Sequence, residues 1–91
     1  MNEANVIYIG QKPIMNYVLA AGKRLADGGS SVLVQARGRS ISKAVDVALI
    51  AVDRSRGELT MGEIGISTET LPGADGSPLK VSCIKIVLRR P

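Results

Sequence analysis

Apolar and polar residues along this chain change period several times, and each change marks an element. Val6-Ile7-Tyr8-Ile9 is a short, largely β-branched run closed by Gly10, which predicts a buried strand. Pro13 follows and suits the first turn of a helix, where its missing N–H leaves no bond unmade. Ile14, Val18, Ala21 and Leu25 then recur at helical spacing until Gly28-Gly29 supplies a stop. Val32-Leu33-Val34 predicts a second buried strand, and the basic turn Ala36-Arg37-Gly38-Arg39 leads to Ser40, a candidate N-cap. The helix opened by Ser40 has an apolar stripe of Ile41, Val45, Ala48, Leu49 and Val52 and ends near Gly57. Two strands joined through a helix are naturally parallel neighbours, so the first half forms a βαβ unit.

The remainder alternates with a period of two. Ile64, Ile66, Thr68 and Thr70 share one parity and Leu59 and Met61 the other, which predicts a bulge or bend near Gly62. The returning strand sets Ser82, Ile84, Ile86 and Leu88 on one face and Cys83, Lys85, Val87 and Arg89 on the other. Leu71 to Pro78, with two prolines and an Asp-Gly step, reads as the exposed, mobile tip between these strands. The order β-α-β-α-β-β predicts an α/β fold in a single domain over residues 1–91, with a long β-hairpin arm. No internal repeat or linker divides it.

Composition narrows the function. A chain of 91 residues buries a smaller fraction of its surface than a larger one, so packing against a second copy would add stability. Val47 and Ile50 lie outside the main stripe of the second helix, giving that helix more apolar surface than one small core requires and pointing to a homodimer through it and the hairpin edge. No apolar run reaches the roughly 20 residues of a membrane span, and Met1 leads into polar Asn-Glu-Ala-Asn, so neither export nor membrane anchoring is indicated. With no histidine and one cysteine, Cys83, the chain has neither an imidazole base nor an internal disulfide. Without a paired-carboxylate or metal-ligand cluster, it offers no catalytic residues, metal or cofactor, and an enzyme is disfavoured.

The net charge of +4 hides a segregation. Residues 1–43 carry Lys12, Lys23, Arg24, Arg37, Arg39 and Lys43 against Glu3 and Asp27, a net of +4. Residues 44–75 hold six acids against Arg54 and Arg56, a net of −4, and Lys80, Lys85, Arg89 and Arg90 return the last sixteen residues to +4. A basic surface built from the two outer blocks would attract a polyanion. The alternative is charge that serves only solubility. Tyr8 and Tyr17 are the only aromatic residues, which argues against reading splayed single-stranded bases by stacking.

Three short motifs carry no chemistry. Ser40-Ile41-Ser42-Lys43 fits the S-x-x-K pattern of penicillin-recognising enzymes, but the accompanying motifs are missing and a helix cap explains the serine. Gly62-Glu63-Ile64-Gly65 has the spacing of a KH-type clamp, but it lies in a strand and contains an acid where a phosphate needs a base. Cys83 sits in an alternating strand with no activating base. More informative are Gly10-Gln11-Lys12-Pro13 and Arg37-Gly38-Arg39. Both follow carboxyl ends of parallel strands, so both lie at one edge of the sheet. There Lys12, Arg37, Arg39 and two helix N-termini converge, a combination that suits phosphates; the alternative is turn glycines and solvated bases.

At these two turns the chain also resembles a known family. Ile9-Gly10-Gln11-Lys12-Pro13-Ile14-Met15-Asn16-Tyr17-Val18 and Ala36-Arg37-Gly38-Arg39-Ser40-Ile41-Ser42-Lys43-Ala44-Val45-Asp46 look like the two signature stretches of Alba, the archaeal chromatin protein family, and the similarity extends from Val6 to Arg90. The resemblance implies a fold like the C-terminal domain of bacterial translation initiation factor three. It implies a homodimer, or a heterodimer with a paralogue, that binds double-stranded DNA without sequence specificity, compacts the chromosome, and takes RNA as a further ligand. It implies a cytoplasmic, chromosome-associated location in an archaeal nucleoid.

By the same resemblance Gln11 and Lys12 lie in the first DNA-contacting loop. Arg37 and Arg39 line the central basic surface, with Asn16, Tyr17 and Lys43 close by and Lys80 on the arm. Lys12 is the candidate for acetylation. Three departures stand out. Gln11 replaces a frequent lysine, Ser77 replaces a common basic arm residue, and Ser55 stands where many members present a phenylalanine used between dimers. The rival reading is an RNA chaperone or a subunit of an RNA–protein particle.

Overall fold

The computed structural model describes residues 5–91; the polar start from Met1 to Ala4, including the Glu3 counted above, lies outside them. The elements are β1 (Val6–Tyr8), α1 (Ile14–Ala26), β2 (Ser31–Arg37), a 3-10 turn (Gly38–Ser40), α2 (Ile41–Arg54), β3 (Thr60–Pro72) and β4 (Pro78–Arg89). They form one four-stranded sheet in the order β1-β2-β4-β3. β1 runs parallel to β2, as a helical crossover between them requires, and the other two pairings are antiparallel. Both helices cover the sheet face that carries Ile7, Val32, Val34, Ile84, Ile86 and Leu88, all buried. Each such side chain contributes on the order of 1.5–3 kcal/mol by leaving water.

The packing of α1 follows its periodicity: Tyr17, Val18, Ala21 and Leu25 are buried. That of α2 does not. The predicted stripe puts Val45 and Leu49 inward, but the buried residues are Ala44, Val47, Ala48 and Ala51, and Leu49 is 55% exposed. Val47, assigned above to a spare face, is fully buried. Alanines on the inner face let α2 lie close to both the sheet and α1, and the bulkier residues are left on the outer surface. Ser40 precedes the helix as predicted but makes no side-chain capping bond.

The register shifts between Met61 and Ile64, so the bulge falls at Gly62 as the parity change requires. Here Glu63 and Arg89 form an ion pair, with Arg89 Nε donating to Oε2 at 3.0 Å. Hydrogen bonds from this guanidinium hold the Glu63 carboxyl below its usual range and raise the arginine. What the pair adds to stability is therefore complete above the ordinary carboxylate range and is lost as pH falls through the lowered value.

The last β2–β4 pair is Arg37 with Cys83, beyond which β3 and β4 project as a two-stranded arm. Pairing continues to Pro72 opposite Pro78, so the tip is shorter than Leu71 to Pro78. A two-stranded ribbon has a free side on each strand, where a proline without an N–H costs no ladder bond. The turn is closed by Gly73 N–H to Ser77 O at 2.8 Å and by Ser77 N–H to Asp75 Oδ1 at 3.0 Å. The bond from Ser77 holds the Asp75 carboxyl below its usual range, and Gly76 takes the positive φ of 84° that the turn needs.

At the far end, Arg90 Nη2 donates to Leu25 O at 2.8 Å and Nε to Gly29 O at 3.1 Å. It thus serves the carbonyl end of α1, where positive charge is favoured. Ser55 closes α2: its hydroxyl donates to Val52 O at 2.7 Å and accepts from Leu59 N–H at 3.0 Å.

Candidate nucleic-acid interface

The turn Gly10–Pro13 leaves the carboxyl end of β1 and the turn Gly38–Ser40 leaves that of β2, so both open from the same edge of adjacent parallel strands. Lys43, in the first turn of α2, bridges them: its ammonium donates to Gly10 O at 3.0 Å. It also stands 5.7 Å from the centre of the Tyr17 ring, within cation–π range. Tyr17 is buried beneath the first turn, and its hydroxyl accepts the N–H of Gly10 at 2.9 Å and of Lys12 at 3.1 Å. It therefore shapes the Lys12 turn from below. That role was not visible in the sequence, since it depends on a side chain reaching back across a helix start.

Gln11, Lys12 and Asn16 are exposed on this edge, as are Arg37 and Arg39. Neither helix has an acid in its first turn or a side-chain cap, so no carboxylate opposes an anion at either start, although the Ile41 N–H is already bonded to Gly38 O and the Asn16 N–H to Pro13 O. Lys80 lies elsewhere, exposed on the arm opposite Thr70. The basic outer blocks are only partly available: Arg89 is held by Glu63, and Arg90 by the end of α1.

Arg37 carries a further constraint. Its Nε lies 2.9 Å from Glu69 Oε2, so the guanidinium reaches across β4 to the second rung of the arm beyond the body. Both side chains are partly solvated, and exposed pairs contribute little to stability. Glu69 nevertheless competes with any phosphate for Arg37. No sequence motif indicates Glu69; it enters only through the register that sets β3 against β4 and β4 against β2.

Among the described residues no group of His, Cys, Asp and Glu could hold a metal ion, and no helix is long and apolar enough to cross a membrane. The edge can grip an anionic backbone, with lysine and arginine side chains around two helix starts.

Known proteins resemble this chain in sequence and fold. The Alba family model matches residues 5–68. A DNA/RNA-binding protein Alba from Methanocella arvoryzae is 46% identical over the whole chain and 95% of its own length. One from Thermoplasma volcanium is 44% identical over 99% of this chain and all of its own. The solved structure of Alba from Thermoplasma volcanium superposes with a TM-score of 0.88 at 43% identity, covering 94% of this chain and all of that one. ALBA1 from Trypanosoma brucei, at 23% identity, shares the fold with a TM-score of 0.75 over 99% of this chain and 72% of its own. With the family model matched over both basic turns and relatives alike from end to end, the chain belongs to the Alba family.

Proposed function

We propose that this protein is an architectural component of chromatin that binds double-stranded DNA through its phosphates, without regard to sequence, as a homodimer. The observation that carries the reading is the convergence of Lys12, Arg37, Arg39 and Lys43 with two uncapped helix starts on one sheet edge. Contacts from such groups to phosphates carry no sequence information. Gln11 and Asn16 flank the contact, Tyr17 positions it, and Lys80 extends it along the arm. The DNA/RNA-binding relatives support nucleic acid as the ligand, and RNA is a further partner on the same edge. The protein works without catalytic residues or a cofactor, in the cytoplasm on the chromosome. Lys12, exposed on the edge, is a modification point: acetylation would remove its charge and weaken the grip. Competition at equal salt between two duplexes of unrelated sequence tests the reading. Equal affinities are expected, and a strong preference for one sequence would overturn it. Binding of structured RNA alone would favour the RNA chaperone or RNA–protein particle.

The dimer reading keeps the elements predicted, the second helix and the hairpin edge, but rests on other residues of that helix, since Val47 is buried. Ile41, Val45 and Leu49 line the outer stripe of α2, and Ile64 and Ile66 lie on the same face of edge strand β3, 56% and 82% exposed. Ile41, Ile66 and Ile84 border a common hollow. An apolar face of this extent marks an interface, and a twofold dimer would bury it against its own copy; a paralogue with a similar face would give a heterodimer. Leu49→Glu places a charge on each side of that contact, where it has no partner. Sedimentation of the variant should give monomer at micromolar concentration where the unaltered chain gives dimer. An unaltered chain that is monomeric there, or a variant that stays dimeric, would refute this interface. Ser55, tied to Val52 and Leu59, offers no aromatic anchor between dimers, so binding as separate dimers with weak cooperativity is the matching expectation.

A further inference from the structure

Tyr8 sits between two buried neighbours, Ile7 and Ile9, yet is 64% exposed. Strand alternation turns its ring to the sheet face opposite α1 and α2. In register across that face lie Gln35 on β2, Lys85 on β4 and Gly65 on β3, so a ring, an amide and an ammonium group stand in one row. Where β1 and β2 end, a recess of about 320 Å³ opens between Tyr8, Ile9, Gln35, Ala36, Arg37 and Ser40. It has an apolar floor, an aromatic wall and polar groups at its rim. Among the described residues the amide of Gln35 makes one long contact, 3.9 Å to Cys83 Sγ, which a better acceptor would displace. The recess shares Arg37 with the phosphate-binding edge, and it lies by β1, on the opposite side of the sheet from β3 and the dimer face.

We propose that this recess takes one unpaired nucleobase, stacked on the Tyr8 ring with the Gln35 amide at its edge and an adjoining phosphate on Arg37 in place of Glu69. The proposal rests on the phosphate-binding reading of the same edge and adds a preference to it. A base held in a duplex has both faces stacked and cannot enter without being extruded, whereas a bulged or single-stranded base presents a free face to any aromatic ring. One exposed tyrosine serves one base, so the scarcity of aromatic residues argues against a run of stacked bases and leaves a single stack open.

The test compares, by fluorescence anisotropy, two labelled RNA hairpins of equal charge whose stems are closed by the same non-nucleotide linker so that neither has loop bases, one fully paired and one with a single bulged nucleotide. The unaltered protein should prefer the bulged hairpin. Tyr8→Ala and Tyr8→Leu should each lose about tenfold for the bulged hairpin, the effect of removing one base–aromatic stack, with the paired hairpin unaffected. The chain has no tryptophan, so Tyr8→Trp introduces a lone indole that should keep the preference and be quenched by the bulged hairpin only. Equal loss on both hairpins, no loss on either, or an indole that responds alike to both would overturn the proposal. Failure of the underlying reading is distinct: the unaltered protein would not bind the paired hairpin, and indole quenching by the bulged one would still score the recess.

Discussion

Replacing Lys12, Arg37 and Arg39 together with alanine will weaken binding to every duplex by about a hundredfold or more while the fold persists. Hydrogen bonds to charged groups contribute about 1.5–3 kcal/mol each, and exposure to solvent reduces that. In a dimer each lost side chain counts twice. All three side chains are exposed, and surface substitutions away from caps and core usually change stability by within about 0.5 kcal/mol. Removing Arg37 also leaves Glu69 without its partner, so a carboxylate is then turned toward the phosphates and adds repulsion. Glu69→Gln should act in the opposite direction and tighten binding several-fold, since it frees Arg37 at no cost in positive charge. Anisotropy titrations against one duplex at fixed salt compare the variants. If affinity survives the triple replacement, the contact surface lies elsewhere.

Tyr17→Phe should weaken the protein in a different way, without removing any charge. The hydroxyl accepts the Gly10 and Lys12 N–H groups together, so its loss leaves two part-buried donors without their acceptor. Each such loss costs about 1–3 kcal/mol when water cannot replace the partner; at this partly solvated turn a total of roughly 1–2 kcal/mol is expected. Denaturant unfolding reads that term directly. Duplex affinity should also fall several-fold, because Lys12 then sits on a turn that no longer has one geometry. The number of phosphates neutralised, read from salt dependence, should stay the same. Unchanged stability in Tyr17→Phe would contradict the assignment of the hydroxyl as the clamp of this turn.

Much of this was legible along the chain. Element order, the parallel first pair, the bulge at Gly62 and the shared edge of the two basic turns all follow from local periodicity and from the rule that a helix between neighbouring strands makes them parallel. What escaped was nonlocal or concerned small residues. Hydropathy favours Val45 and Leu49 as the inward face of α2, whereas close approach to the sheet and α1 selects Ala44, Ala48 and Ala51, whose merit is size. Pairing through Pro72 and Pro78 was hidden because proline signals a loop unless the strand has a free side. The employment of Arg37 by Glu69, Arg89 by Glu63 and Arg90 by the end of α1 joins residues 26 to 65 positions apart, so counting charges in blocks overstated the free basic surface. Tyr8 looked like one more strand residue until the register placed it beside Gln35, with Lys85 one strand further along the same row.

A polyanion gripped by its phosphates on this edge should reveal itself in the dissociation constant of the unaltered protein for one duplex, measured over a range of salt. Each phosphate neutralised releases bound counterions, so the logarithm of the association constant should fall linearly with the logarithm of salt, with a slope of about −0.9 per contact. Lys12, Arg37, Arg39 and Lys43 from two protomers should give a steep slope, corresponding to several contacts. Affinity that stays level from low to high salt would mean that something other than phosphate holds the duplex and would rule out this mode of binding.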